Sequence, residues 1–325
     1  MVFKKLLGSL GVGGPTVDTV LQPGPAVPGG GLSGEVRLKG GNTDATIEHI
    51  TLELVARVEA EHEDGEAEGG VVFERFTVGG GFVLGEGEER SVPFGVTLPW
   101  ETPVTELYGQ DLGIVLGVRT ELSVAGARDK GDLDRLTVGP LPAQEAVLEA
   151  LGQLGFGFRS ADLELGHIGG SGQRLPFYQE IELSPSARYA DRVNEVEVTF
   201  LAGPEGLDVV LEADKRGGLF SEGGDALGRF TVGHHEVQGR DWVTEVDGRI
   251  QALIEARTPH RAHEGYGHDD GHPQHHAGPG MGTVVAAGAA GVAVGVVGGM
   301  VAAEVVDEVG DFFEGDDEEE ESDEG

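Results

Sequence analysis

The stretch IEHITLELVARVE, residues 47–59, sets the reading of this chain. From Ile50 onward, Leu52, Leu54, Ala56 and Val58 fall on one side. Thr51, Glu53, Arg57 and Glu59 fall on the other, and only Val55 breaks the polar pattern. Successive side chains of a strand point to opposite faces, so this alternation marks a strand with one face in a core. The rule recurs at 91–98 (Val92, Phe94, Val96, Leu98) and at 114–124 (Ile114, Leu116, Val118, Leu122, Val124). Turn-rich pieces lie between them, such as Asp64-Gly65, Gly79-Gly80-Gly81 and Gly85-Glu86-Gly87. Strands at short spacing with tight turns between them predict an antiparallel β-sandwich.

The period changes at 142–154, where Ala146, Val147, Leu148, Leu151 and Leu154 follow Pro140 and Pro142 at helical spacing. A short helix is expected there, leading into a second set of strands at 162–165, 177–183 and 195–201. Gly203-Pro204-Glu205-Gly206 predicts a hairpin into 208–214. A closing helix is expected at 241–256, because Trp242, Val246, Ile250, Leu253 and Ile254 share one face. The expected fold is therefore all-β: two sandwiches, a short connecting helix and a closing helix. The expected divisions are 1–139 and 140–256 for the sandwiches. Beyond them lie a His/Gly/Pro-rich linker at 257–280, a Gly/Ala/Val-rich apolar helix at 281–303 and an acidic tail at 304–325.

Composition limits the function classes. The 325 residues carry 58 acidic and 22 basic side chains, a formal charge of -36. Such a field repels phosphate backbones and disfavours nucleic acid as a partner, while favouring basic partners or divalent cations. Acid excess along the whole chain, with only five lysines, fits either a salt-loving host or an ordinary acidic cytoplasmic protein. The chain has no cysteine, which removes disulfides, thiolate catalysis and cysteine zinc sites. The opening MVFKKLLGSLGVGGP has a brief, glycine-broken apolar stretch without a small-residue cleavage pattern, so cytoplasmic synthesis is expected.

No catalytic motif stands out. A nucleophile elbow, a phosphate loop ending in Gly-Lys-Ser/Thr and a His-Glu-x-x-His helix are all missing from the sequence. Gly29-Gly30-Gly31, preceded by Pro28, reads as a turn. Carboxylate pairs such as Asp132 and Asp134, or Asp208, Glu212 and Asp214, read as a solvated face in so acidic a chain. The chain is accordingly read as non-enzymatic, without a cofactor or a specific metal site. His268, His272, His275 and His276 are the side chains a loosely held divalent metal would use. They sit in a Gly/Pro-rich tract that does not fix a geometry, so a solvated linker is the blander reading.

Residues 281–303 carry no charge, and Gly291, Gly295 and Gly299 would share one face of a helix. That stripe suits close helix pairing, and the length suits a bilayer. Peripheral membrane association, homo-oligomer formation and a simple tether all stay open. The tail that follows, with 13 acidic residues and no basic ones, reads as a solubiliser or as a dock for a basic partner.

Several stretches together resemble the stage-zero sporulation-control protein M family: FKKLLGSLGVGGPTVDTVL, IEHITLELVARVE, VPFGVTLPWETPVT, GIVLGVRTELSVAGARDKGDLD, LGFGFRSADLE, LPFYQEIEL, VEVTFLAGPEGLDVVLEADKRGG and DWVTEVDGRIQALI. The resemblance spans residues 1–256. It implies an arrestin-like pair of β-sandwiches and a regulatory role in sporulation or differentiation, with no established active site. Work would be done by surfaces that dock partner proteins of unspecified identity. The appendage after residue 256 departs from the resemblance. Trp100, in LPWETP, and the Arg128–Asp132 loop are candidates for packing or for docking.

Overall fold

A computed structural model describes residues 13–62, 65–126, 130–215 and 226–255. In chain order the first strands are β1 (Thr16–Leu21), β2 (Gly31–Lys39), β3 (Ala45–His62), β4 (Gly65–Gly79), β5 (Phe82–Leu84) and β6 (Glu89–Thr97). A short hairpin, β7 (Glu106–Leu107) and β8 (Gln110–Asp111), precedes β9 (Leu116–Val124) and β10 (Lys130–Arg135). Helix α1 (Pro142–Gln153) leads to β11 (Gly157–Leu165), β12 (Phe177–Ser184), β13 (Val193–Ala202), β14 (Gly206–Lys215) and β15 (Ala226–Gly233). Helix α2 (Trp242–Glu255) closes the described part.

Strand β3 organises the molecule. Its alternation holds: Ile50, Leu52, Leu54 and Ala56 are fully buried in the first core, under the sheet β1-β2-β6. Val55, which breaks the pattern, is fully buried too, at a register shift between Leu54 and Val55 in the pairing with β4. The shift skips Phe73 of β4, so the extra residue belongs to the partner strand, and Val55 keeps its place on the face opposite the first core. On that face Glu53 is only 3% exposed. Arg75 Nε donates to its Oε1 at 2.6 Å and Arg119 Nε to its Oε2 at 2.7 Å, one from each neighbouring strand.

The two lobes share one sheet. Strand β9 leaves the edge of β3 at Ala56, and β11 takes that edge in parallel at Glu59↔Glu164. The resulting order is β10-β9-β3-β11-β12-β13-β14-β15, with β4 and β5 also on β3. Leu163, Leu175 and Phe177 of the second lobe therefore lie in the first core. The expected helices are α1 and α2, and among the described residues they form the layer beneath the second sheet. Val147 and Leu151 of α1, with Val246 and Ile250 of α2, pack on Ile181, Val196, Val198, Val209 and Leu211. No helix of the described residues is long and apolar enough to cross a membrane.

The lobe junction is polar and specific. Gln179 accepts the Val104 N–H at 2.9 Å and donates to the Val104 carbonyl at 2.8 Å. Glu101 accepts the N–H groups of Arg174 and Leu175. Trp100 stacks on His234 with ring centroids 5.0 Å apart and packs against the second core, so the packing reading applies to it. Its ring lies against Gly29, whose φ of +69 starts the glycine turn; a Cβ there would stand 2.4 Å from the indole. Gly29→Ala meets both the left-handed strain and the clash, and is expected to cost about 2–3 kcal/mol, read as a lowered denaturant midpoint.

Candidate functional site

The outer face of the second sheet collects acid. In β11 to β14 the residues facing away from the helices include Asp162 and Glu164, Glu180 and Glu182, Glu195 and Glu197, and Asp208 and Glu212. Alternation puts them on one face, and strand pairing then sets them side by side. Glu182 lies opposite Glu197, and Glu197 opposite Glu212; Asp162 lies opposite Glu180. Directly opposed side chains sit about 5 Å apart at Cβ, and like charges there destabilise a sheet. Three glutamates thus stand in register across three strands.

Cations and hydroxyls share this face. Arg159 pairs with Glu195 and reaches Glu182 at 3.6 Å, and Ser160 Oγ donates to Glu182 at 2.7 Å. Arg229, the cation of β15 on this face, donates to the carbonyls of Gly169 and Gly170 and so secures the loop before β12. That loop brings Ile168 onto Tyr178, Leu201 and Val210, an apolar island within the acidic face. Burial, then Glu197, Asp162, Glu164 and Glu212, push the Glu180 carboxyl up to about 9, so it is protonated at neutral pH. Burial, then Glu180, Glu164, Glu212 and Glu197, hold the Tyr178 hydroxyl well above the usual phenol range. One carboxylate oxygen from each of Asp162, Glu164 and Glu180 lies within 4.8 Å of the others.

A second carboxyl pair joins the two sheets of the first lobe. Asp132 Oδ2 accepts the Thr19 N–H at 2.7 Å, and the Thr19 and Thr120 hydroxyls meet at 2.6 Å. Burial, then Asp132 and Asp18, push Asp134 up to about 7.

The sequence candidates fall unevenly on this structure. His268, His272, His275 and His276, and Gly291, Gly295 and Gly299, lie outside the described residues, as does Arg128. Lys130, Gly131 and Asp132 belong to β10, paired with β9, rather than to a loop. Asp208 and Glu212 share a face as expected, but Glu212 is 7% exposed rather than solvated, because Glu197 and Leu227 flank it mid-sheet. The clustering around Glu180 was missed. Its signal is the acid-x-acid spacing of Asp162/Glu164, Glu180/Glu182 and Glu195/Glu197 on consecutive strands.

A two-lobed, β-rich chain of this arrangement matches an arrestin-like class. The chain belongs to the Spo0M family: residues 3–217 match the family described as SpoOM protein. It is 38% identical over 215 residues to the sporulation-control protein spo0M of Bacillus subtilis (strain 168), covering 66% of this chain and 81% of that one. It is also similar to the crystal structure of Spo0M, sporulation control protein, from Bacillus subtilis. That likeness has a TM-score of 0.65 and 32% identity, and covers 75% of this chain and 99% of the other.

Proposed function

We propose that this protein is a non-enzymatic, cytoplasmic adaptor in the control of sporulation or differentiation. It docks a basic segment of a partner protein on the acidic face of its second sheet. The regulatory part rests on the family and on the name of its Bacillus subtilis relative. The docking part rests on one observation: Glu182, Glu197 and Glu212 in register across three strands, on the same face as Asp162. A row of carboxylates on one sheet face presents a negative field that complements the Lys and Arg side chains of a cationic partner. Lys or Arg side chains would meet the carboxylates that border the buried apolar island of Tyr178 and Leu201.

The test uses the full chain and a fluorescent Lys/Arg-rich peptide, followed by anisotropy across a salt series. Binding is expected to weaken steeply with salt, and Glu182→Gln with Glu197→Gln together to weaken it about tenfold. Equal binding by wild type and the double variant would reject the site. Displacement of the peptide by millimolar calcium, but not by matched ionic strength, would instead assign the face to a divalent cation.

A further inference from the structure

An apolar groove of about 410 Å³ opens between the β7–β8 hairpin of the first lobe and α1 of the second. Tyr108, Leu148, Gly152, Phe156, Phe158 and Leu183 line it. Tyr108 and Phe158 are 62% and 51% exposed, a pair of aromatic rings left in water. The hairpin itself argues that the Tyr108 ring has a use. Its two-residue loop, Tyr108-Gly109, has φ of 52 and 75. Such a turn favours Asn, Asp or Gly at both positions, and a bulky side chain there costs about 1–2 kcal/mol. Tyr108 is the one non-glycine residue with positive φ among those described. The turn would be better without it; the groove would not.

We propose that residues 281–303 of this same chain dock in cis in that groove and cover it. Three features select this occupant. First, the segment is 23 residues without charge in a chain of net charge -36, so burying it against apolar side chains is favourable and leaves no charge to desolvate. The groove's Glu149 disfavours the acidic tail as the occupant instead. Second, the chain leaves the described part at Glu255, the end of α2, which packs beside α1 on the same face of the sheet. The 25 residues from 256 to 280 have a root-mean-square reach of about 28 Å, more than the roughly 10 Å between packed helices. A tether of that length holds the segment near its site at an effective concentration on the order of millimolar. The other terminus starts from Gly13, beside Asn42 at the end of β2 remote from the lobe junction. Third, α1 offers Gly152 to the groove, with no atom within 4 Å of where a Cβ would stand. A small-residue stripe, Gly291, Gly295 and Gly299, is the surface that packs closely on such a helix.

The absence of cysteine makes the test clean. In the full chain, Gln153→Cys at the groove is combined with Ala290→Cys in the segment, or with Ser322→Cys in the tail as the control. Disulfide formation under mild oxidation is followed at micromolar protein on non-reducing gels. The Ala290 pair is expected to close within monomers at least tenfold faster than the control. Tyr108→Asn, which suits the turn better and removes the ring, is expected to keep the fold and abolish that advantage. Equal closure rates in the two pairs would overturn the proposal. So would disulfide-linked dimers, which would give the groove to a second copy, or loss of the advantage on adding phospholipid vesicles, which would give the segment to a membrane.

Discussion

Glu53→Ala is expected to destabilise the protein by about 3 kcal/mol, because it strands a half-buried arginine on a sheet face. Glu53 is 3% exposed, and its two oxygens are each taken by one guanidinium. The two cations are not equivalent: the Arg75 side chain is 57% exposed and that of Arg119 only 23%. Hydrogen bonds to a buried charge contribute about 1.5–3 kcal/mol each, and solvent can replace the one that Arg75 loses more readily than the one at Arg119. Arg75→Ala should therefore cost clearly less than Arg119→Ala, and Glu53→Ala more than either. Replacing all three with leucine or methionine should recover most of the loss, since no unpaired charge is left behind. Urea unfolding of the five proteins decides it. A Glu53→Ala cost below about 1 kcal/mol would mean that the triad is screened like a surface pair.

That triad also shows what the sequence could and could not tell. The alternation around Glu53 was plain, and it placed Ile50, Leu52 and Leu54 in a core where they are found. It could not tell that the polar face of β3 would be covered, because Arg75 and Arg119 arrive from strands paired across 22 and 66 residues. The helices were legible because a 3.6 period concentrates Val147 and Leu151, or Val246 and Ile250, on one stripe within a single local segment. The continuous sheet was not, since it depends on one parallel pairing, Glu59↔Glu164, between residues 105 positions apart. The acidic face lies between these cases. Each strand displays its acid-x-acid spacing, yet only the register of β12, β13 and β14 sets Glu182, Glu197 and Glu212 in a row. A slip of one residue would have sent them to the helix side, so the face is a property of the pairing and not of any single strand.

Burial among carboxylates has a measurable consequence in pH at two places. Glu180 is raised from 4.5 to about 9 and Asp134 from 3.8 to about 7. Both are acids that hold their protons more tightly folded than unfolded. Between the unfolded and folded values the native state therefore binds more protons, and stability falls as pH rises. For Glu180 the contribution is complete below about pH 4.5, declines across the interval, and is lost above about 9. Full linkage would be about 1.4 kcal/mol per pH unit; sharing of protons with Glu197, Asp162 and Glu164 reduces it, and a fall of roughly 2–4 kcal/mol between pH 5 and 9 is expected. Glu180→Gln should remove most of that slope and leave the variant more stable than wild type at pH 9, with little difference at pH 5. Asp134→Asn should flatten only the part below about pH 7. Added salt should reduce the slope in wild type, because the opposing carboxylates are partly open to solvent. Denaturant midpoints measured at unit pH intervals test all three. Parallel curves for wild type and Glu180→Gln would mean that the Glu180 carboxyl is neither desolvated nor crowded by Glu197, Asp162 and Glu164 in the folded protein.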